Sequence, residues 1–348
     1  MTLLELLAID LPIIQAPMAG VSTPAMAAAV ANAGALGSLG VGATDAAGAR
    51  KMIAEFCARS SRSLNVNVFC HRRPQADAAV EAAWLAHLRP HFEKFGAQPP
   101  DRLREIYRSF LDDDAMLAAL VAAKPRVVSF HFGVPAAERI RALRDAGIVL
   151  IACATSVAEG RTAASAGVHA VVAQGCEAGG HRGVIDPDAH DDRLGTLALT
   201  RLLVHELNVP VIAAGGIMDG AGIAAVLRLG AAAAQLGTAF IACPESDADA
   251  GFRAALASDA AHHTVMTRAI SGRAARCLAN GFTALSAAVA DRQIPAYPIA
   301  YDAGKALNAA AKAAGDTRFG AQWAGQGAPL ARAMPAAELV ATLVREMH

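Results

Sequence analysis

The stretch 209–240, VPVIAAGGIMDGAGIAAVLRLGAAAAQLGTAF, opens with a short apolar run, passes through two glycines into an alanine-rich segment, and returns through Gly230 to a second short apolar run. Each run is too brief for a helix and is apolar on both faces. A strand reads this way when helices cover one side and a packed barrel interior covers the other. The middle segment reads as a buried helix, and Gly230 stands where a left-handed C-terminal cap would end it. The same residues are the most membrane-like in the chain, yet Arg228 and the glycines interrupt them, so they read as strand, helix and strand.

Six earlier runs have the same character: IIQAPM, LGSLG, LNVNVF, VVSFHF, VLIACA and AVVAQG, which with VPVIAAGG and AAQLGTAF make eight. Gly34, Gly147 and Gly167 repeat the helix-ending glycine, and Thr23 before Pro24 is an N-cap with proline in the first turn. Eight strand and helix units predict an α/β fold, the (β/α)8 TIM barrel. A doubly wound open sheet is the alternative, but it would place G-x-G-x-x-G after the first strand, and APMAGVSTP lacks that spacing. Two segments exceed what simple connections need, 71–124 and 241–314. They predict a small, mostly helical lid domain over a barrel formed by 1–70, 125–240 and 315–348. The closing MPAAELVATLVREM has helical periodicity and is expected to return to the barrel wall.

The 31 basic residues balance 31 acidic ones over 348 positions, and the first basic residue is Arg50. Nothing in that distribution would follow a phosphate backbone or an acidic bilayer, so nucleic acid and membrane are set aside as partners. The six cysteines show no C-x-x-C pairing, which fits a reduced, cytoplasmic protein. The apolar N-terminus lacks a basic n-region and is broken by Glu5, Asp10 and Pro12, so no secretory signal is expected. Monomer and homodimer both remain open.

In a barrel, reactive groups come from the carboxyl ends of strands and the loops after them. The seventh run ends in Gly215 and Gly216, and the eighth passes through Gln235, Leu236, Gly237 and Thr238. Bare glycines let an anion reach backbone N–H groups, so these two loops predict a phosphate cradle. The phosphate could belong to a sugar phosphate, a nucleotide or flavin mononucleotide. Met18, Ala19 and Gly20 after the first run could lie flat against a planar ring, while Asn67 and Gln174 offer neutral amides that suit a flavin's imide edge. The plainer reading of both amides is that they satisfy buried backbone.

GCEAGGHRG, residues 175–183, directly follows the sixth run. Gly179, Gly180 and Gly183 let the loop take positive φ and pass close to a flat cofactor, with His181 projecting over it to accept a proton near neutral pH. A local salt bridge explains Arg182 and Glu177, and Cys176 has no neighbour that would lower its pKa for nucleophilic work. His131 closes the fourth run and either lines the pocket or packs on Phe130 and Phe132. Tyr297, Tyr301 and Lys305 share a helical face, either a phenol and ammonium wall for an anionic substrate or an ordinary amphipathic helix.

QAPMAGVSTP, VSFHFG, GCEAGGHRG and LGTAFIACPES, supported by PVIAAGGIMDG and QWAGQG, run in order from Gln15 to Gly327. In these motifs the chain resembles the nitronate monooxygenases, also called 2-nitropropane dioxygenases, and specifically their bacterial class I members. The resemblance implies FMN bound in a TIM barrel and oxidation of alkyl nitronates, such as propionate 3-nitronate, by O2 without NAD(P)H. It implies His181 as the active-site histidine, flavin contacts at Asn67, Gln174, Gly179, Gly216 and 235–238, and substrate-side positions at Tyr297, Tyr301 and Lys305. Val21 stands where some relatives have a second glycine, which could narrow the space beside the ring. The alternatives are an FMN-dependent NAD(P)H reductase of quinones or enoyl thioesters on the same barrel, and a non-catalytic flavin or phosphate carrier.

Overall fold

The strands are β1 (Ile13–Gln15), β2 (Gly37–Gly40), β3 (Leu64–Phe69), β4 (Val127–His131), β5 (Val149–Ala154), β6 (Ala170–Gln174), β7 (Gly180–His181), β8 (Val211–Ala214), β9 (Ala233–Leu236), β10 (Thr264–Thr267) and β11 (Ala275–Leu278), in a computed structural model that describes residues 1–287 and 289–347. Eight of them pair in parallel in the order β1-β9-β8-β6-β5-β4-β3-β2. Leu36 closes the ring: its N–H donates to Ile13 and its carbonyl accepts from Gln15, both at 2.9 Å. The eight apolar runs are thus the eight strands of a TIM barrel. The eighth is shorter than its sequence suggests, because Thr238–Ile241 turn into a single helical turn after Gly237.

Gly34, Gly147, Gly167 and Gly230 take φ of +92°, +81°, +90° and +98°, the left-handed values that let each helix stop and the next strand start. Thr23 caps its helix by accepting from the Met26 N–H at 3.0 Å, with Pro24 in the first turn. The apolar N-terminus has a structural use. Leu3 and Leu7 of a short helix pack with Val127, Val149, Ala170 and Ala233, the first residues of their strands, and so seal the barrel end opposite the mouth. At the chain's other end the helix Ala336–Glu346 buries Leu339, Val340 and Leu343 between the helices Pro24–Asn32 and Gly220–Arg228, completing the outer ring.

The two long insertions share a core. Trp84, Leu88 and Phe92 of the helix Ala78–Lys94 meet Ile270, Phe282 and Leu307 from the second insertion. Beside the helices of these insertions, β10, β11 and β7 form an antiparallel sheet, in which Ala275 pairs with His181 and Arg276 with Gly180. The histidine loop therefore joins the barrel to the second insertion through β7. The helix Asp114–Ala123, at the end of the first insertion, instead puts Met116 and Leu120 into the barrel core beside Phe56 and Val128. Among the described residues no helix is long and apolar enough to cross a membrane.

Candidate active site

A cavity of about 190 Å³ opens at the carboxyl ends of the strands. Met18, Ala19, Asn67, His131, Gln174, Gly179, Gly180, His181, Gly215, Gly216, Gln235, Gly237, Thr238, Tyr297 and Tyr301 all line it. Three residues picked from the sequence do not. Leu236 is on the outer face of β9 in the core between strands and helices, since side chains alternate and Gln235 takes the inward position. Gly20 shapes its turn with a φ of +79° and is absent from the lining. Lys305 stands outside the wall, its ammonium 4.8 Å from the Tyr107 ring centre and 5.5 Å from that of Tyr301. Tyr297 also differs from expectation in one respect, because it precedes the helix Ile299–Ala313 rather than belonging to it.

One end of the cavity suits an anion. The N–H groups of Gly216 and Gly237 have no protein acceptor among the described residues. Gly216 has a φ of +69°, and an added Cβ would come within 3.3 Å of Glu177 Cβ. Donors without acceptors in a pocket cleared of side chains fit a phosphate. Glu177 takes no part in a salt bridge with Arg182; its carboxylate accepts from the N–H and hydroxyl of Thr196 at 2.9 Å and caps the helix Thr196–Glu206.

Along the middle of the cavity, Asn67 donates to Ser129 Oγ at 3.0 Å and to its carbonyl at 3.1 Å, which points the amide into the mouth. Gln174 is largely committed to the protein: its amide oxygen accepts from Gly183 N–H at 2.7 Å and its nitrogen donates to the His181 carbonyl at 3.0 Å, leaving one amide hydrogen. Gln15 likewise braces the 16–22 turn, donating to Ser22 Oγ at 2.8 Å, and Val21 lines the cavity beside Met18.

His181 sits among aromatic rings, with Phe132, Tyr297 and Trp323 at centroid distances of 5.7, 5.3 and 5.0 Å. Its Nε2 is 2.8 Å from Ser271 Oγ. His131 both packs on Phe132, at 4.4 Å, and lines the cavity, and its Nε2 donates to the His181 carbonyl at 3.2 Å. Arg273, 2% exposed, lies over the Phe132 ring at 4.0 Å, donates to Val184 O, and pairs with no carboxylate among the described residues. Burial, then the charges of His131, Arg273 and His71, push His181 well below its ordinary pKa; burial and Arg273 bring His131 and His71 down to about 4. The three imidazoles are neutral at physiological pH.

Tyr107, Ser271 and Arg273 escaped the sequence reading, and Trp323 entered it only as part of QWAGQG. The two aromatics line the cavity, while Ser271 and Arg273 brace His181 and Phe132 from the second insertion. They occupy segments without strand-end motifs, and the tyrosine count alone could have flagged Tyr107 beside Tyr297 and Tyr301. Cys176 is absent from the lining.

Arg182, 1% exposed, anchors the loop: it forks onto Asp191 at 2.8 and 2.9 Å and donates to the Gln174 carbonyl at 2.8 Å. Burial raises the Asp191 pKa, but hydrogen bonds from Arg182 and Arg193 outweigh it and hold the net value below the ordinary one. Asp191→Ala, which leaves a buried guanidinium unpaired, is expected to cost about 3 kcal/mol in urea unfolding at pH 7. Because the folded-state pKa is the lower one, that contribution is present above pH ~4 and fades as pH falls through the folded value. A loss indistinguishable from zero at pH 7 would show that Arg182 does not depend on this carboxylate.

The family model described as "Nitronate monooxygenase" matches residues 1–346. A nitronate monooxygenase of Paraburkholderia phytofirmans is 65% identical over 345 residues, covering 99% of this chain and 94% of the relative. One from Pseudomonas aeruginosa is 54% identical over 344 residues, covering 99% and 98%. Among solved structures, a nitroalkane oxidase from Streptomyces ansochromogenes superposes with a TM-score of 0.89 at 41% identity, covering 99% of this chain and 97% of that one. FabK from Thermotoga maritima superposes with a TM-score of 0.75 at 28% identity, covering 99% and 95%.

Proposed function

The chain belongs to the nitronate monooxygenase family, and on that premise we propose that this oxidoreductase oxidises alkyl nitronates such as propionate 3-nitronate with O2, holding FMN at the barrel mouth and drawing no electrons from NAD(P)H. One observation carries the reading: a cradle of unpaired backbone N–H groups and a neutral, half-buried histidine face a single cavity. Bound FMN would supply the electron-accepting chemistry that side chains lack. Gly179, Gly180, Gly215, Gly216, Gly237 and Thr238 would hold its phosphate end, Met18 and Ala19 its ring, and Asn67, Gln235 and the spare Gln174 hydrogen its polar edge.

A nitronate already carries the carbanion charge, so the protein's task is to bind an anion and shut out water. Arg273, with no carboxylate in salt-bridge contact among the described residues, places a positive charge behind Phe132, and Tyr107, Tyr297, Tyr301 and Trp323 wall the substrate side with rings. Electrostatic attraction at low dielectric favours the anion over a neutral nitroalkane. With the neutral compound, His181 removes the α-proton and His131 keeps the loop carbonyl in place. Gly20, Leu236 and Lys305 act on the turn, the core and the outer wall, not on the ligands themselves.

The test uses the FMN-loaded protein under anaerobic conditions and then in air. Propionate 3-nitronate alone is expected to bleach the yellow absorbance, and O2 uptake is expected on aeration. Prompt bleaching by NADH, with no response to the nitronate, would favour the NAD(P)H reductase. A protein that takes up no FMN would overturn both readings.

A further inference from the structure

Ser271 lies on the loop between β10 and β11, fully buried, with its Oγ 2.8 Å from Nε2 of His181. Its hydroxyl hydrogen has another taker, the backbone carbonyl of Arg273 at 3.2 Å. A hydroxyl carries one hydrogen and two lone pairs. With that hydrogen given to Arg273, only lone pairs face the imidazole, and the hydrogen between the two groups belongs to Nε2. The other ring nitrogen, Nδ1, has no hydrogen-bond partner among the described residues and is not among their sealed polar atoms, although the ring lines the cavity.

We propose that Ser271 is a positioning residue that holds neutral His181 as the Nε2–H tautomer, so that Nδ1 is the nitrogen that takes the α-proton of a nitroalkane. This deepens the functional reading above and rests on it. The step is a plain proton transfer. The C–H bond breaks, its electron pair stays with carbon and the nitro group as the nitronate, and an N–H bond forms at Nδ1. The resulting imidazolium keeps its Nε2–H on Ser271 Oγ. The opposite tautomer would turn an N–H toward the cavity, able to donate to a nitronate oxygen and unable to remove a proton. One hydroxyl therefore selects between base and donor.

The surroundings hold the ring in that pose. The His181 carbonyl is tied by His131 Nε2 and Gln174 Nε2, at 3.2 and 3.0 Å, and its backbone pairs with Ala275 in the three-stranded sheet. Phe132, Tyr297, Tyr301 and Trp323 pack around the imidazole. The ionisable groups that face it are His131, His71, Arg273, Tyr297 and Tyr301. None is a carboxylate, so nothing there favours the imidazolium in the resting protein.

The experiment is 15N NMR of histidine-labelled, FMN-loaded protein, with His181→Gln used to assign the resonance. Wild type is expected to show a protonated Nε2 and a bare Nδ1 near neutral pH, and Ser271→Ala to gain the Nδ1–H form. In turnover, Ser271→Ala is expected to lose about tenfold in kcat/KM on nitroethane, part of the factor a positioned base contributes. On preformed propionate 3-nitronate, which needs no proton removed, the change should stay below about twofold by the same argument. Ser271→Thr, which keeps the hydroxyl, should recover most of the nitroethane rate. A bare Nε2 in wild type, or equal losses on the two substrates, would overturn the assignment. Should the protein turn over no nitro compound at all, the functional reading fails while the NMR result still decides the tautomer.

Discussion

His181→Ala, purified with FMN bound, is expected to lose a factor of about 10² to 10⁴ on neutral nitroalkanes, the usual contribution of a positioned general base. The imidazole lines the cavity with an unengaged nitrogen, and no carboxylate stands among the lining residues to replace it. A second readout comes from pH. Burial, followed by the charges of His131, Arg273 and His71, holds the pKa of His181 well below its ordinary 6.5. The base form therefore persists as pH falls through 6.5, and the wild-type kcat/KM on nitroethane should stay flat there. A decline centred at that value would mean a histidine titrating as if exposed. A His181→Ala protein with an unaltered flavin spectrum and an undiminished rate would remove the residue from the reaction.

Gly237→Asp is expected to weaken FMN binding about a hundredfold, or ~2.7 kcal/mol. The position is chosen because its backbone does not require glycine. Its φ is −108°, and an added Cβ would meet Ala16 Cβ at 3.5 Å and Met18 Sδ at 3.6 Å, both ordinary contacts. A new carboxylate beside the unpaired N–H groups would repel a phosphate, since like charges brought together cost several kcal/mol. Gly215 and Gly216 make poorer probes: their φ values of +121° and +69° would strain any side chain, and lost binding could then reflect a distorted loop. Fluorescence titration of the apoprotein with FMN reads the result, and unchanged affinity with an intact fold would place the phosphate elsewhere.

The barrel was legible because its signals are local. A strand buried on both faces shows as a short apolar run whatever lies around it, and a helix that must end in the left-handed region shows as Gly34, Gly147, Gly167 or Gly230. Placing a residue at the carboxyl end of a barrel strand also places it at the mouth, so Asn67, His131, Gln174, Gly216 and Gly237 could be found without coordinates. Leu236 shows the limit of reading motifs as blocks: strand alternation turns it outward while its neighbours Gln235 and Gly237 face in.

The amino-acid sequence by itself determined the eight strands, the glycine loops and the histidine at the mouth, since burial pattern and backbone freedom belong to each short segment alone. Only the tertiary structure decided what surrounds that histidine. Ser271 and Trp323 reach His181 because the three-stranded sheet pairs Ala275 with it and the two insertions bury a common core, a meeting of segments some 90 residues and more apart along the chain. Which imidazole nitrogen meets Ser271 is likewise decided by a hydrogen bond across 90 residues of chain, which no local pattern encodes.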